Sequence, residues 1–195
     1  NTSDSQLRFI QQMGVTDVVT SLRAEERGDV WGFEPMLRLR KKVEDAGLTL
    51  SVFEGIPVPD RAKLGLPGRD EDIDNYCESL RNMGRAGIPV VCYNWMVAFG
   101  WLRTSTTTPV RGGAVATTYD HEEMQRGPLT EHGEVGEDLL WKALEYFLKA
   151  VVPVAEESGV KLAMHPCDPP LSPIRGIGRI MTSPENFQRL IDLVP

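Results

Sequence analysis

Apolar positions along this chain recur with two alternating periods. Leu7, Phe9, Ile10 and Met13 follow a helical spacing, with Thr2 or Ser3 as cap and Gly14 as stop. Val15 to Thr20 is a short β-branched run and predicts a strand. Pro35 suits the first turn of a second helix with Met36, Leu37, Leu39 and Val43 on its apolar stripe, closed by Gly47. Leu48 to Phe53 predicts the next strand, with Glu54 at its C-terminal end. Asp70 caps a predicted helix through Ile73, Tyr76, Cys77 and Leu80 towards Gly84 or Gly87, and Pro89 to Trp95 follows as a strand. The strongest helical pattern runs from Asp138 to Ser158 through Leu140, Ala143, Leu144, Phe147, Leu148 and Val151, with Pro153 expected to kink or divide it. Val160 to His165 is a further strand, and Ser183-Pro184 opens a last helix with Phe187, Leu190 and Ile191 inward.

Strands separated by helices, with no hairpin turn between them, must run parallel. Two architectures satisfy this: a doubly wound open sheet and a (β/α)8 barrel. No GxGxxG or Walker sequence follows the first strand, which weighs against the nucleotide-binding open sheet. Four strands make about half of a barrel, whose complete form takes roughly 250 residues. The polar stretch 104–136, rich in Thr, Gly and Pro, is too long for an ordinary βα connection and is expected to be a functional loop excursion.

Composition narrows the function classes. With 195 residues and a net charge of -7, the chain is long enough for a sizeable core and too acidic for a general nucleic-acid binder. A local basic pocket for an anionic small molecule remains compatible with that total. No apolar run approaches the roughly 18 residues that cross a bilayer, and the first residues do not resemble a secretory signal. The three cysteines form no CxxC pair, so neither a disulfide framework nor a structural zinc site is expected and the cytoplasm is the default compartment.

In parallel α/β folds the C-terminal strand ends share the ligand-binding face. His165 stands there and can ligate a divalent metal, or be a half-buried histidine bonded to backbone. Asp168 can orient that imidazole or bind the metal itself. Glu54 can serve as ligand, base or hydroxyl contact, or simply cap a turn. Asn94 can hydrogen-bond a polyol or satisfy backbone groups. Arg103 can clamp a carboxylate, or be an unspecialised surface arginine. Arg175 and Arg179 are weak anion candidates on a glycine-rich loop. Trp95, Phe99 and Trp101 can wall a pocket or fill the core. Cys92, Cys167, His121 and His132 suggest no definite role.

The segments VCYNWM, WLRT, FLKAVVPVAEESGVKLAMHPCDPP and IRGIGRIMTS, supported by LRNMGRAGIPVVCYN and VEDAGLTLSVFEGIPV, together resemble the mannonate dehydratase family. The resemblance implies a partial TIM barrel of the xylose-isomerase-like type, occupying the whole of residues 1–195 as family strands two to five. It implies a hydro-lyase that converts D-mannonate to 2-keto-3-deoxy-D-gluconate in hexuronate breakdown, with Mn²⁺ or Fe²⁺ as cofactor. It places one metal ligand on His165, from the family's HP-x-DPP motif, and expects the other ligands on later strands. The base and acid are not assigned. The partner expected is a small-molecule sugar acid, not nucleic acid or membrane, with homo-oligomerisation left open. The alternatives are a sugar isomerase or epimerase on the same barrel, or an inactive half barrel. Thr20-Ser21-Leu22-Arg23 replaces the family's ALHH-like stretch, Cys167 stands where Asp is common, and the segment after WLRT is short; all three fall on the substrate-facing side.

Overall fold

The computed structural model describes residues 2–194. Helix α1 (Asp4–Gln12) starts where Ser3 Oγ accepts the Gln6 N–H at 3.3 Å and ends before Gly14, whose φ of 81° suits a left-handed stop. Then come β1 (Asp17–Thr20), α2 (Phe33–Asp45), β2 (Thr49–Glu54), the short α3 (Asp60–Lys63), α4 (Arg69–Arg85) and β3 (Val90–Tyr93). After β3 the chain makes β4 (Ser105–Pro109), β5 (Val115–Thr118) and α5 (His121–Gln125) before returning through α6 (Glu137–Glu157), β6 (Lys161–Met164) and α7 (Pro184–Asp192).

The main sheet has the order β1-β2-β3-β6, all parallel, so each strand lies beside its predecessor in the series. Helices cover one side of it. Phe53, Val91 and Tyr93 are buried beneath that layer, and Phe147 of α6 forms its centre, with ring centroids 5.2 Å from Tyr76, 6.0 Å from Tyr93 and 5.2 Å from Trp95. Sequential parallel strands with crossover helices on one side are the pattern of a barrel rather than a doubly wound sheet.

Four features depart from the expectations. The 104–136 segment is structured: β4 and β5 pair as an antiparallel hairpin around Gly112 and Gly113, both at positive φ. The Thr- and Val-rich flanks of that Gly-Gly pair carry a hairpin signal that the overall polarity hides. Helix α4 begins at a Gly68 cap, and Asp70 lies within its first turn; Arg61 grips Asp72 there through Nε at 2.5 Å and Nη2 at 2.6 Å, pinning the start. Helix α6 runs unbroken through Pro153, which sits on its exposed side, where the carbonyl one turn back can be hydrated. Finally Ile191 is 64% exposed, as Phe9 and Met13 are at the other end of the chain, because α1 and α7 flank the series and each has a neighbour on one side only among the described residues.

Candidate functional site

Strand register brings the expected residues together. Cys92 is paired with Glu54 on one side and Ala163 on the other. The ladder continues past the strand ends, with the Gly55 N–H on the Cys92 carbonyl at 3.0 Å and the His165 N–H on the Tyr93 carbonyl at 2.7 Å. Side chains alternate along a strand, so Asn94, two past Cys92, and His165, two past Ala163, share a face with Glu54. That face is opposite the one on which Phe53, Val91 and Tyr93 are buried.

His165 is half-buried, and its Nδ1 lies 2.6 Å from the Pro166 carbonyl. A carbonyl only accepts, so Nδ1 carries the proton and the neutral ring keeps its lone pair on Nε2, the tautomer a metal ligand requires. The Trp101 ring meets the imidazole edge-on, with centroids 5.3 Å apart. Asn94 Oδ1 accepts the Met96 N–H at 3.2 Å, which leaves its amide nitrogen available. Glu54 is exposed and makes no side-chain hydrogen bond among the described residues.

Arg103 and Asp168 form a bidentate pair, Nη1 to Oδ1 at 3.0 Å and Nη2 to Oδ2 at 2.9 Å. The Arg103 hydrogen bonds hold the Asp168 carboxyl below the usual aspartate range, with the charges of Arg103, Arg179 and His165 adding to them and burial opposing. Asp168 is thus committed to Arg103. Among the described residues no group of three or more His, Cys, Asp or Glu side chains is gathered closely enough to hold a metal. The Nε2 lone pair of His165 has the chemistry of a single metal ligand, without a completed ligand set around it among the described residues.

The pair joins two long loops above the strand ends. Leu102 N–H reaches the Asp168 carbonyl at 3.3 Å, Gln125 Nε2 reaches the Pro173 carbonyl at 2.8 Å, and Arg175 Nε reaches the Pro128 carbonyl at 2.5 Å. Val135 bonds Gly176 and Gly178 through its backbone. The polar excursion and the β6–α7 loop are therefore one cap. Beneath it lie two buried cations, Lys63, which patterning does not single out, and Arg179, which the glycine-rich loop offers only as a weak anion candidate. Lys63 is 6% exposed, with Nζ 2.9 Å from the Met96 carbonyl and 3.5 Å from Asp60 Oδ1; burial lowers its pKa. Asp60 in turn accepts the Ala98 N–H at 2.8 Å and lies 3.8 Å from His132. The other is Arg179, 1% exposed. In sequence Lys63 belongs to a four-residue helix with no periodicity, so only the neighbouring Pro59-Asp60 start could have drawn attention to it. A concavity of about 1000 Å³ lies between α1 and α2 and includes none of these residues.

A family model described as D-mannonate dehydratase (UxuA) matches residues 2–132 and 125–195. A mannonate dehydratase of Streptococcus pneumoniae (strain 70585) is 39% identical over 204 residues, covering 92% of this chain and 56% of that protein. The crystal structure of mannonate dehydratase from Streptococcus suis serotype2 superposes with a TM-score of 0.88 at 40% identity, covering 96% of this chain and 55% of that one. A D-psicose 3-epimerase from Clostridium cellulolyticum H10, at 12% identity and a TM-score of 0.61, shares the fold alone. The chain spans about half the length of the curated relatives it matches. Its four parallel strands are thus part of a TIM barrel of the xylose-isomerase-like type.

Proposed function

The chain belongs to the mannonate dehydratase family, and from that membership we propose that it forms part of a catalyst removing water from D-mannonate to give 2-keto-3-deoxy-D-gluconate. The observation that carries this furthest is the 39% identity sustained over 92% of the chain. The geometry agrees with it: a metal-competent imidazole, a free carboxylate and a free amide donor share one face at the strand ends.

His165 Nε2 would supply one ligand to a divalent ion, Mn²⁺ or Fe²⁺, with Nδ1 held by the Pro166 carbonyl so that the ring cannot turn away. Such an ion supplies Lewis-acid stabilisation of the charge that develops beside the substrate carboxylate. Glu54 and the Asn94 amide would meet sugar hydroxyls, and the Trp101 ring would flank them beside His165. Hexuronate breakdown in the cytoplasm is the setting we assign to the reaction. Among the described residues no helix is long and apolar enough to cross a membrane.

The test uses the full-length parent protein with D-mannonate and Mn²⁺, with and without a chelator, assayed for the 2-keto-3-deoxy acid. Product that depends on the metal and falls by roughly a hundredfold or more in His165→Ala is expected. Metal retention with no such product would move the substrate elsewhere, and an isomeric sugar in its place would make the protein an isomerase or epimerase.

A further inference from the structure

Where the two loops meet, around the Asp168 carboxylate, guanidinium groups outnumber carboxylates. Arg179 is 1% exposed, yet none of the ion pairs among the described residues involves it. Its Nη2 donates to the Asp168 carbonyl at 3.1 Å and lies 2.9 Å from Met96 Sδ. Its Nε is buried with no partner, and Nη1 also makes no hydrogen bond among the described residues but is not sealed from solvent. The Asp168 carboxylate, three residues past His165, is already occupied by both terminal nitrogens of Arg103. Two guanidinium groups therefore stand around one carboxylate, in a chain whose net charge is -7. The excess is local and cannot be traced to composition.

A guanidinium withdrawn from water without a counter-charge is costly unless something anionic completes it. The loop nonetheless fixes this one firmly: the Arg179 N–H donates to Ser172 Oγ at 3.0 Å, and the Cys167 N–H ties the loop back to the Met181 carbonyl at 2.8 Å. One uncompensated positive charge matches a monoanion, and the planar fork of arginine matches a carboxylate.

We propose that Arg179 anchors the carboxylate of the ligand through its unpartnered Nη1 end, at the same strand-end site as His165. The identity of that ligand as an aldonate rests on the function proposed above. Arg103 then acts by occupying Asp168, which otherwise would neutralise Arg179 and close the site to an acid.

The experiment compares equilibrium binding of D-mannonate and of its uncharged analogue D-mannitol to the full-length protein, R179Q and R179K, beside dehydration kinetics. In R179Q the acid should weaken by roughly tenfold to a hundredfold while the polyol is unchanged. R179K should retain part of the preference for the acid. A folded R179Q that holds the acid as tightly as the parent overturns the proposal. If R179Q does not fold, R179K decides: a several-fold loss for the acid alone supports the anchor, and no loss overturns it. Failure of both to fold makes Arg179 a structural cation and also overturns it. Arg179-dependent binding without dehydration would sustain the anchor and remove the reaction, whereas dehydration with an unaltered KM in R179Q would do the reverse.

Discussion

The pairing of Arg103 with Asp168 shows how a strand-end carboxylate can be spent on architecture rather than on the substrate. Its pH dependence follows from the depressed Asp168 pKa. A carboxylate whose folded pKa lies below its unfolded value stabilises the fold above the unfolded value of about 3.9 and loses that contribution as pH falls through the folded one. Asp168→Asn should therefore lower Tm near neutral pH, and the gap to the parent should close in acid below about pH 4, as a pH series of thermal melts would show. Since about a third of each side chain is exposed, 33% and 35%, the neutral-pH difference should not exceed about 1 kcal/mol. A gap that persists unchanged in acid would rule out the ion pair as its source. Much of this site was legible in sequence: His165, Glu54 and Asn94 were expected at strand ends and share one face. The commitment of Asp168 to Arg103 was not, because the two residues are 65 positions apart and only the cap brings them together. Burial of Lys63 and Arg179 was equally invisible, since a long cationic side chain is ordinarily a surface residue.

Helix packing sets the next constraint. Helices α4 and α6 meet at Gly84, where an added Cβ would run into the carbonyl oxygen of Ser158. Gly84→Ala therefore opposes two effects. Alanine in a helix gains about 1 kcal/mol over glycine, while forcing backbone apart in a packed interface costs about 1–3 kcal/mol. The rigid partner is a main-chain atom that cannot swing aside, so the cost should win, and urea unfolding should show a net loss of up to about 2 kcal/mol. A stabilised variant would mean the two helices can separate freely. The short α3 and α5 were not readable from periodicity, whereas the longer helices and main strands were, most clearly α4 and α6, which bury a continuous stripe. Their margins and the hairpin were less so. The α4 start is decided by the distant Arg61–Asp72 contact, and the β4–β5 ribbon carries too few apolar residues to declare itself against a polar background.

For the molecule as a whole, the sheet face bearing Glu54, Cys92 and Ala163 has no covering layer among the described residues, and Val19 of β1 is 58% exposed. Parallel sheets are ordinarily buried on both faces, and β1 and β6 each have one neighbour here. The 195-residue chain expressed alone should self-associate, visible as a mass above 21.7 kDa by light scattering on a sizing column. A monodisperse monomer with a single cooperative melt would contradict this. The barrel class was readable in sequence, but what lies against the open face was not, because a pattern of buried positions records that a neighbour exists and not which one. The order β1-β2-β3-β6 has a separate consequence for synthesis. Every new strand of the sheet docks onto one already made, so a nascent chain leaving the ribosome can build the sheet from its first strand outwards without waiting for its C-terminus. Only the cap must close late, because Asp168 and Arg179 emerge after the hairpin and α6, with α7 alone to follow them.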